Sequence, residues 1–387
     1  MKTEPLRDPT GGAGSHPAFL AGLPLARPRV ADPARVAADV EAILRSGVLT
    51  DGPYVRRLEE EAATYLGVRH CIAVASCTTG LMLMLRASEL SGDVIVPSFT
   101  FAATAHAVDW NGLRPSFADI DPGPLTLSPT AVEQVIGVHT SAILAAHIYG
   151  TPCDVEGLRD VAERNGLRLF FDAAHAFGST HGGRKVGGFG DAEVFSFSPT
   201  KVVVAAEGGL IATNDDLLAE RCRVGRNYGN PGDYDCRFVG LNARMSELHA
   251  ATALASLSDL EERLGERNRL AGAYTEALAG IPGIRIPEVP VGDRSTYKDY
   301  AILVDPEECG LNADALAAAL RSDGIETRRY YAPPVHAMHA YASLRSAAGS
   351  WPITDRAAER ALTLPLWVGM TDAQVAGVAG AIARIRA

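Results

Sequence analysis

Three short stretches carry residue types that could do chemistry together. The first, FSFSPTK (195–201), alternates aromatic and hydroxylic residues and closes on Lys201, with the apolar run VVVAA behind it and Glu207 as the nearby acid. An amine so placed is either a solvated strand end or a group kept partly dry, because lysine is almost never fully buried without a partner. The second, RLFFDAAHAFG (168–178), ends an apolar run on Asp172 and sets His175 three positions on. A carboxylate there is costly to bury alone; capping the next turn is its plainer use. The third, SCTTGL (76–81), puts Ser76, Thr78 and Thr79 directly before a helical pattern. Free backbone N–H groups and the positive end of the helix dipole suit an anion such as phosphate, with simple N-capping by Ser76 or Thr78 as the alternative.

An amine, a carboxylate and a phosphate seat together meet the needs of pyridoxal 5'-phosphate (PLP). That cofactor takes a lysine for its Schiff base, an acid at the pyridine nitrogen and donors for its phosphate. Nucleotide-binding alternatives lack their signatures: no GxGxxG follows a strand and there is no GxxxxGK[ST]. GGRKVGGFG (182–190) reads as a loop with turns. His336 and His339 have a spacing open to metal, but no third ligand is in view, so no metal is expected. The six cysteines (Cys71, Cys77, Cys153, Cys222, Cys236, Cys309) form no CxxC pair and read as small core or loop residues of a reducing compartment.

The elements that must position these groups alternate in type. CIAVAS (71–76), DVIVP (93–97), RPSFADI, SAILAAH and RLFFD (168–172) are β-type runs, each followed or separated by a helical pattern. That alternation predicts a mostly parallel sheet covered by helices on both faces, with ligands at the carboxyl ends of its strands. A helix is expected over 33–46, with Asp32 as N-cap, Pro33 at its first position and Gly47 past its end. The rhythm changes after about residue 240: helices over roughly 244–264 and 266–279 lead into the Pro/Gly-rich IPGIRIPEVPVGD, which reads as a linker. The expected organisation is a flexible lead-in over 1–28, a large PLP-binding domain over 29–265 and a smaller C-terminal α/β domain over 266–387. A chain of 387 residues has room for two or three domains. Its formal charge of -10, with Lys and Arg scattered, argues against a nucleic-acid surface and for a small-molecule partner. No signal-peptide pattern opens the chain and no apolar run nears the roughly 18 residues that span a membrane, so a soluble, cytoplasmic protein is expected.

From about residue 30 onward the chain resembles the DegT/StrS family of PLP-dependent sugar aminotransferases. The resemblance is carried by GVLTDGPYVRRLEEEAATYLGVRH, VIVPSFTFAATAHAV, FADID, HIYGTPCD, FDAAHAFGSTHGGRKVGGFGDAEVFSFSPTK, EGGLIATND and LNARMSELHAA, in that order. It implies PLP-dependent transferase fold type I, with Lys201 as the cofactor lysine and Asp172 as partner of the pyridine nitrogen. His175 would lie beside the phenolic oxygen, Thr78, Thr79 and Ser196 would hold the phosphate, and Phe101 would stack on the ring. Asn242 would reach the phosphate in the neighbouring subunit, which implies a homodimer with shared active sites. Tyr330, Tyr331 and His336 match a loop that approaches the sugar. By family habit the donor is L-glutamate and the acceptor a nucleotide-linked keto-deoxysugar. SCTTGL, PSFTFAATAHAVDW and GDAEVFSF are closer to the branch acting at C4 of dTDP-4-keto-6-deoxyglucose, in natural-product biosynthesis, than to 3-keto-sugar enzymes. A non-catalytic PLP-binding regulator would usually bring a basic DNA-binding segment, and none is visible. Related sugar 3-dehydratases carry histidine where Lys201 stands. One departure is Cys77, where the family usually has glycine in Ser-Gly-Thr.

Overall fold

The β-type runs form strands at nearly the expected positions in a computed structural model that describes residues 19–342 and 349–386. In chain order they are β1 (His70–Val74), β2 (Asp93–Pro97), β3 (Arg114–Ala118), β4 (Thr140–Ala146) and β5 (Arg168–Asp172). A small hairpin follows, β6 (Thr180–His181) with β7 (Arg184–Lys185), and then β8 (Ala192–Ser196) and β9 (Gly209–Thr213). Seven of these make one sheet in the order β1-β9-β8-β5-β4-β2-β3. The contiguous pairs from β8 to β3 are parallel, and β9 runs antiparallel to both β8 and β1, so a single strand is reversed.

Period-two alternation sends side chains to both sheet faces. Cys71, Ala73, Leu169 and Phe171 pack into one apolar cluster, while Ile72, Val74 and Phe170 pack into another on the opposite face. Helices therefore cover both faces, and the loops after the strands emerge along one edge. The helix expected over 33–46 is Pro33–Ser46; the Asp32 side chain accepts from the Arg35 N–H and Gly47 stands at φ 72°.

The smaller domain is a three-stranded antiparallel sheet of β10 (Ile284–Arg285), β11 (Tyr300–Val304) and β12 (Ala361–Leu364), packed by helices Ala313–Ser322 and Asp372–Arg386. The boundary anticipated at 265/266 falls inside one helix, Leu260–Leu278. Leu260 and Leu264 belong to a core of the large domain, whereas Leu270, Tyr274 and Leu278 belong to that of the small one. The helix is a strut shared by both. Part of the expected lead-in is also tied down. Its residues 1–18 lie outside the described residues, but Leu23 is buried, donates its N–H to Gly324 O and bridges Ile325, and Trp367 Nε1 donates to Pro24 O. An apolar leucine finding a pocket on the smaller domain outweighs the Gly/Pro composition around it.

Candidate active site

Lys201 does not end a strand. β8 stops at Ser196, and Pro199 and a turn follow in which the Lys201 N–H donates to Ser198 O at 3.0 Å. The apolar residues after it form a buried loop instead of continuing the strand. Their backbone groups find partners outside any sheet: Ala205 N–H on Phe197 O, Val204 N–H on Ser256 Oγ, and Val202 O on the buried Arg263. A buried loop persists only when its polar groups are so satisfied.

The turn delivers Lys201 into a cavity of about 300 Å³ at the carboxyl edge of the sheet. Asp172, the last residue of β5, forms part of the same cavity. Its Oδ2 accepts from Thr104 Oγ1 at 2.7 Å and its Oδ1 from the Ala174 N–H at 3.1 Å. Burial pushes this carboxyl above its ordinary value, while Thr104, the Ala174 N–H, Lys201 and His147 draw it back down. Burial likewise lowers the Lys201 amine, helped by the charge of Lys298 and opposed by Asp299 and Asp172, to about 8.

At the cavity's other end, helix Cys77–Ala87 opens with a capping box. Ser76 Oγ accepts from the Thr79 N–H and Thr79 Oγ1 accepts from the Ser76 N–H, each at 3.1 Å. Thr78 lines the cavity. Thr79 has committed both N–H and hydroxyl to the cap and does not line it. Ser196 and Ser198, whose hydroxyls lie 3.2 Å apart, complete the hydroxylic end. Phe101 presents a 63% exposed ring to the cavity. His175 lines it too; burial first, then Lys201 and Lys298, hold its imidazole well below the usual range and so neutral.

These groups fit PLP. An uncovered aromatic ring, a buried carboxylate, an amine of lowered pKa and a cluster of hydroxyls match a flat pyridine that bears an aldehyde and a phosphate.

Of four other expected residues, two line the cavity and two lie elsewhere. Tyr330 and Tyr331 line the cavity; Tyr331 stacks on Tyr149, whose hydroxyl donates to Tyr330 O. His336 does not line it: its Nδ1 meets Ser98 Oγ at 2.7 Å, its Nε2 lies 3.1 Å from Asp355, and its ring stacks on Trp351. That histidine is held in an aromatic cluster behind the loop. Asn242 is exposed and away from the cavity of its own chain, with its backbone bridged to Asn227.

Sequence reasoning passed over Thr104, Lys298 and Asp299. Thr104 sits in a stretch used for the resemblance, yet a threonine in the first turn of a helix carries no signal of its own. The Lys-Asp pair flanked by Tyr297 and Tyr300 is visible as a charged pair, but nothing in its spacing says that it faces the cavity. Among the described residues no group of three or more His, Cys, Asp or Glu could hold a metal ion, and no helix is long and apolar enough to cross a membrane.

Comparison with known proteins places this geometry in context. The DegT/DnrJ/EryC1/StrS aminotransferase family matches residues 31–383. The chain is similar to UDP-N-acetyl-3-dehydro-alpha-D-glucosamine 3-aminotransferase of Acidithiobacillus ferrooxidans, at 36% identity over 87% of this chain and 91% of the relative. It is also similar to dTDP-4-amino-4,6-dideoxy-D-glucose transaminase of Escherichia coli, at 32% identity over 90% and 95%. Among solved structures it matches DesI, determined in the presence of its TDP-sugar product, with a TM-score of 0.91 and 39% identity over 96% of this chain and 94% of that one.

Proposed function

The chain belongs to the DegT/DnrJ/EryC1/StrS aminotransferase family as a PLP-dependent sugar aminotransferase, and we propose that it moves an amino group from L-glutamate to C4 of dTDP-4-keto-6-deoxyglucose. The observation that carries this reading is the seating of Lys201, its amine lowered to about 8, in one cavity with the buried Asp172. Bound there, PLP supplies an electron sink for the carbanion formed at the donor's α-carbon. Asp172 would hold the pyridine nitrogen, with Thr104 and the Ala174 N–H fixing its carboxylate. Phe101 would cover one face of the ring, and His175 would stand by the phenolic oxygen. Thr78 with Ser196 and Ser198 would take the phosphate, and Thr79 would brace them through the helix cap. Lys201 Nζ would receive the proton leaving the donor's α-carbon and hold it for return, a task that needs a pKa near working pH.

The choice of a dTDP-linked sugar draws support from the match to DesI, solved with its TDP-sugar product, and the choice of C4 from the E. coli relative, whose name places the amino group at C4. The Acidithiobacillus relative, named for C3, supports amination of a 3-keto sugar as the second reading. Incubation with dTDP-4-keto-6-deoxyglucose, L-glutamate and PLP, followed by NMR of the product, separates them. Nitrogen at C4, with the 3-keto isomer about a hundredfold slower, is expected, since a displacement of the reacting carbon by about 1 Å costs on that order. Nitrogen at C3, or equal rates with both ketones, rejects C4.

The exposed Asn242 supports a dimer in which it completes the partner's site. Mixing Lys201→Ala chains with Asn242→Ala chains should restore activity, because one site of each hybrid dimer then carries neither lesion. A fully active monomer in sedimentation would exclude sharing.

A further inference from the structure

The smaller domain contributes to the cavity a charge pair that none of these roles uses. Lys298 and Asp299, just before β11, are only 8% and 6% exposed, and Lys298 Nζ lies 2.8 Å from Asp299 Oδ1. The second oxygen, Asp299 Oδ2, is buried without a hydrogen-bond partner, with His175 Nδ1 4.0 Å away. Against an apolar pair of like volume, a buried ion pair is on balance neutral for stability. Stability alone therefore gives no account of it.

The pair is held rigidly from behind. Buried Arg267 donates through Nε to Thr296 O at 3.2 Å and Tyr297 O at 3.1 Å, and through Nη2 to Lys298 O at 2.9 Å. Asn268 Nδ2 donates to Ser295 O, and Thr296 Oγ1 donates to His175 O. This bracing keeps the segment's geometry from drifting, as a binding site requires.

Among the described residues lining the cavity, the two lysines are Lys201 and Lys298. An amino-acid donor must bring its α-carbon to Lys201, and both its carboxylate and its ammonium are bonded to that carbon. Two adjacent opposite charges thus arrive beside two adjacent opposite charges of the protein. The keto sugar carries no such pair at its reacting carbon.

We propose that Lys298 and Asp299 form the docking couple for the amino-acid donor, Lys298 Nζ taking its α-carboxylate and the Asp299 carboxylate its α-ammonium. This rests on the reading of the protein as an aminotransferase fed by an α-amino acid. The couple makes the two half-reactions separable, because it serves the donor and leaves the acceptor alone.

The test uses PLP-loaded full-length enzyme and follows the cofactor's absorbance during single half-reactions. With L-glutamate, Lys298→Met should raise the half-saturating concentration about a hundredfold, Asp299→Asn should raise it at least tenfold, and Lys298→Arg should restore it to within tenfold of wild type. With the keto sugar nucleotide and pyridoxamine-phosphate-loaded enzyme, the half-saturating concentration of Lys298→Met should move by less than threefold. Unchanged glutamate saturation in Lys298→Met, or equal losses in both half-reactions of Lys298→Met and Lys298→Arg, overturns the proposal while the aminotransferase reading stands. If wild-type enzyme loads PLP yet answers to no α-amino acid, the donor reading itself falls. Should Lys298→Met fail to load cofactor or melt early, Lys298→Arg against Asp299→Asn decides by the same split.

Discussion

The two walls of the cavity are built in opposite ways. On the sheet side, every group stands at or a few residues past the end of a strand: Asp172 closes β5, Ser196 closes β8, and Ser76 follows β1 by two positions. On the other side, Lys298, Asp299, Tyr330 and Tyr331 come from the smaller domain and reach the cavity only because that domain docks there. The first wall is fixed by topology, since parallel strands bring their carboxyl ends to one edge. The second is fixed by packing between domains, through contacts such as Tyr331 against Phe99 and Tyr149. In the proposed function this difference divides the labour: the groups that would act on the cofactor lie on the sheet edge, and those that would choose what approaches it lie opposite.

The sharpest way to break this division is at Lys201. Lys201→Ala should abolish turnover and the cofactor's bound absorbance while leaving the fold, because among the described residues no other lysine of the sheet edge lines the cavity. Near wild-type activity in that variant would remove the sheet wall from the chemistry altogether. The amine's own titration sharpens the point. With its pKa at about 8 in the folded chain against 10.5 ordinarily, uptake of PLP by cofactor-free protein should climb with pH and level off above about 8. A rate still climbing toward pH 10 would show an ordinary solvated lysine. The sign for stability follows: the unfolded chain binds the extra proton between about 8 and 10.5, so this group's contribution to folding becomes more favourable as pH rises through that window.

Asp172→Asn comes next. It should keep the Thr104 hydrogen bond and the fold, yet lower turnover roughly a hundredfold, as a loss of a few kcal/mol in the transition state requires. Both half-reactions should slow together, in contrast to the one-sided effect expected at Lys298. An unimpaired variant would return Asp172 to the plainer part of a turn cap, accepting from the Ala174 N–H.

The sheet wall was largely legible from local pattern, whereas of the other wall only Tyr330 and Tyr331 were read, through the family resemblance, for one physical reason. A strand end, a helix N-terminus and a lysine after FSFSPT are local patterns, and local patterns placed Lys201, Asp172, Thr78 and Ser196 by their neighbours in sequence. Even there, tertiary context decided details. The pattern of FSFSPTK carried the strand on to Lys201, whereas β8 stops at Ser196 and the VVVAA that follows is a loop whose backbone groups pair with Ser256 and Arg263. Thr79 looked equal to Thr78 until the capping box consumed it. β12 and the helix Pro352–Arg360 went unread because a four-residue strand shows no period. Lys298 and Asp299 depend on a docking between domains that no short-range spacing encodes, and so does His336, which turned into an aromatic cluster through Trp351 and Phe117.

The smallest expected effect lies at Cys77, which stands where the family resemblance led to the expectation of glycine in Ser-Gly-Thr. A side chain in a tight turn would be costly at positive φ, but Cys77 is the first residue of a helix and has no such backbone. Its sulfur points inward, 3.7 Å from Val194 O and 3.9 Å from Asp172 Oδ1, distances that fit packing with at most weak hydrogen bonding. Burial, with Asp172 adding to it, pushes the thiol well above its usual range, so it stays protonated and adds no charge beside the carboxylate. Iodoacetamide should therefore label the exposed Cys236 and spare Cys77 in the folded protein. Cys77→Gly should cost about 1–2 kcal/mol of stability, from the lost buried side chain and a more flexible helix start, and change turnover by less than tenfold. The measurement that matters is the ratio of the two effects. A rate loss as deep as that of Asp172→Asn, with little loss in melting temperature, would mean that the sulfur sets the state of the carboxylate and belongs to the chemistry of the sheet wall. The expected converse, a lower melting temperature with a nearly intact rate, makes it a packing residue that happens to touch that wall.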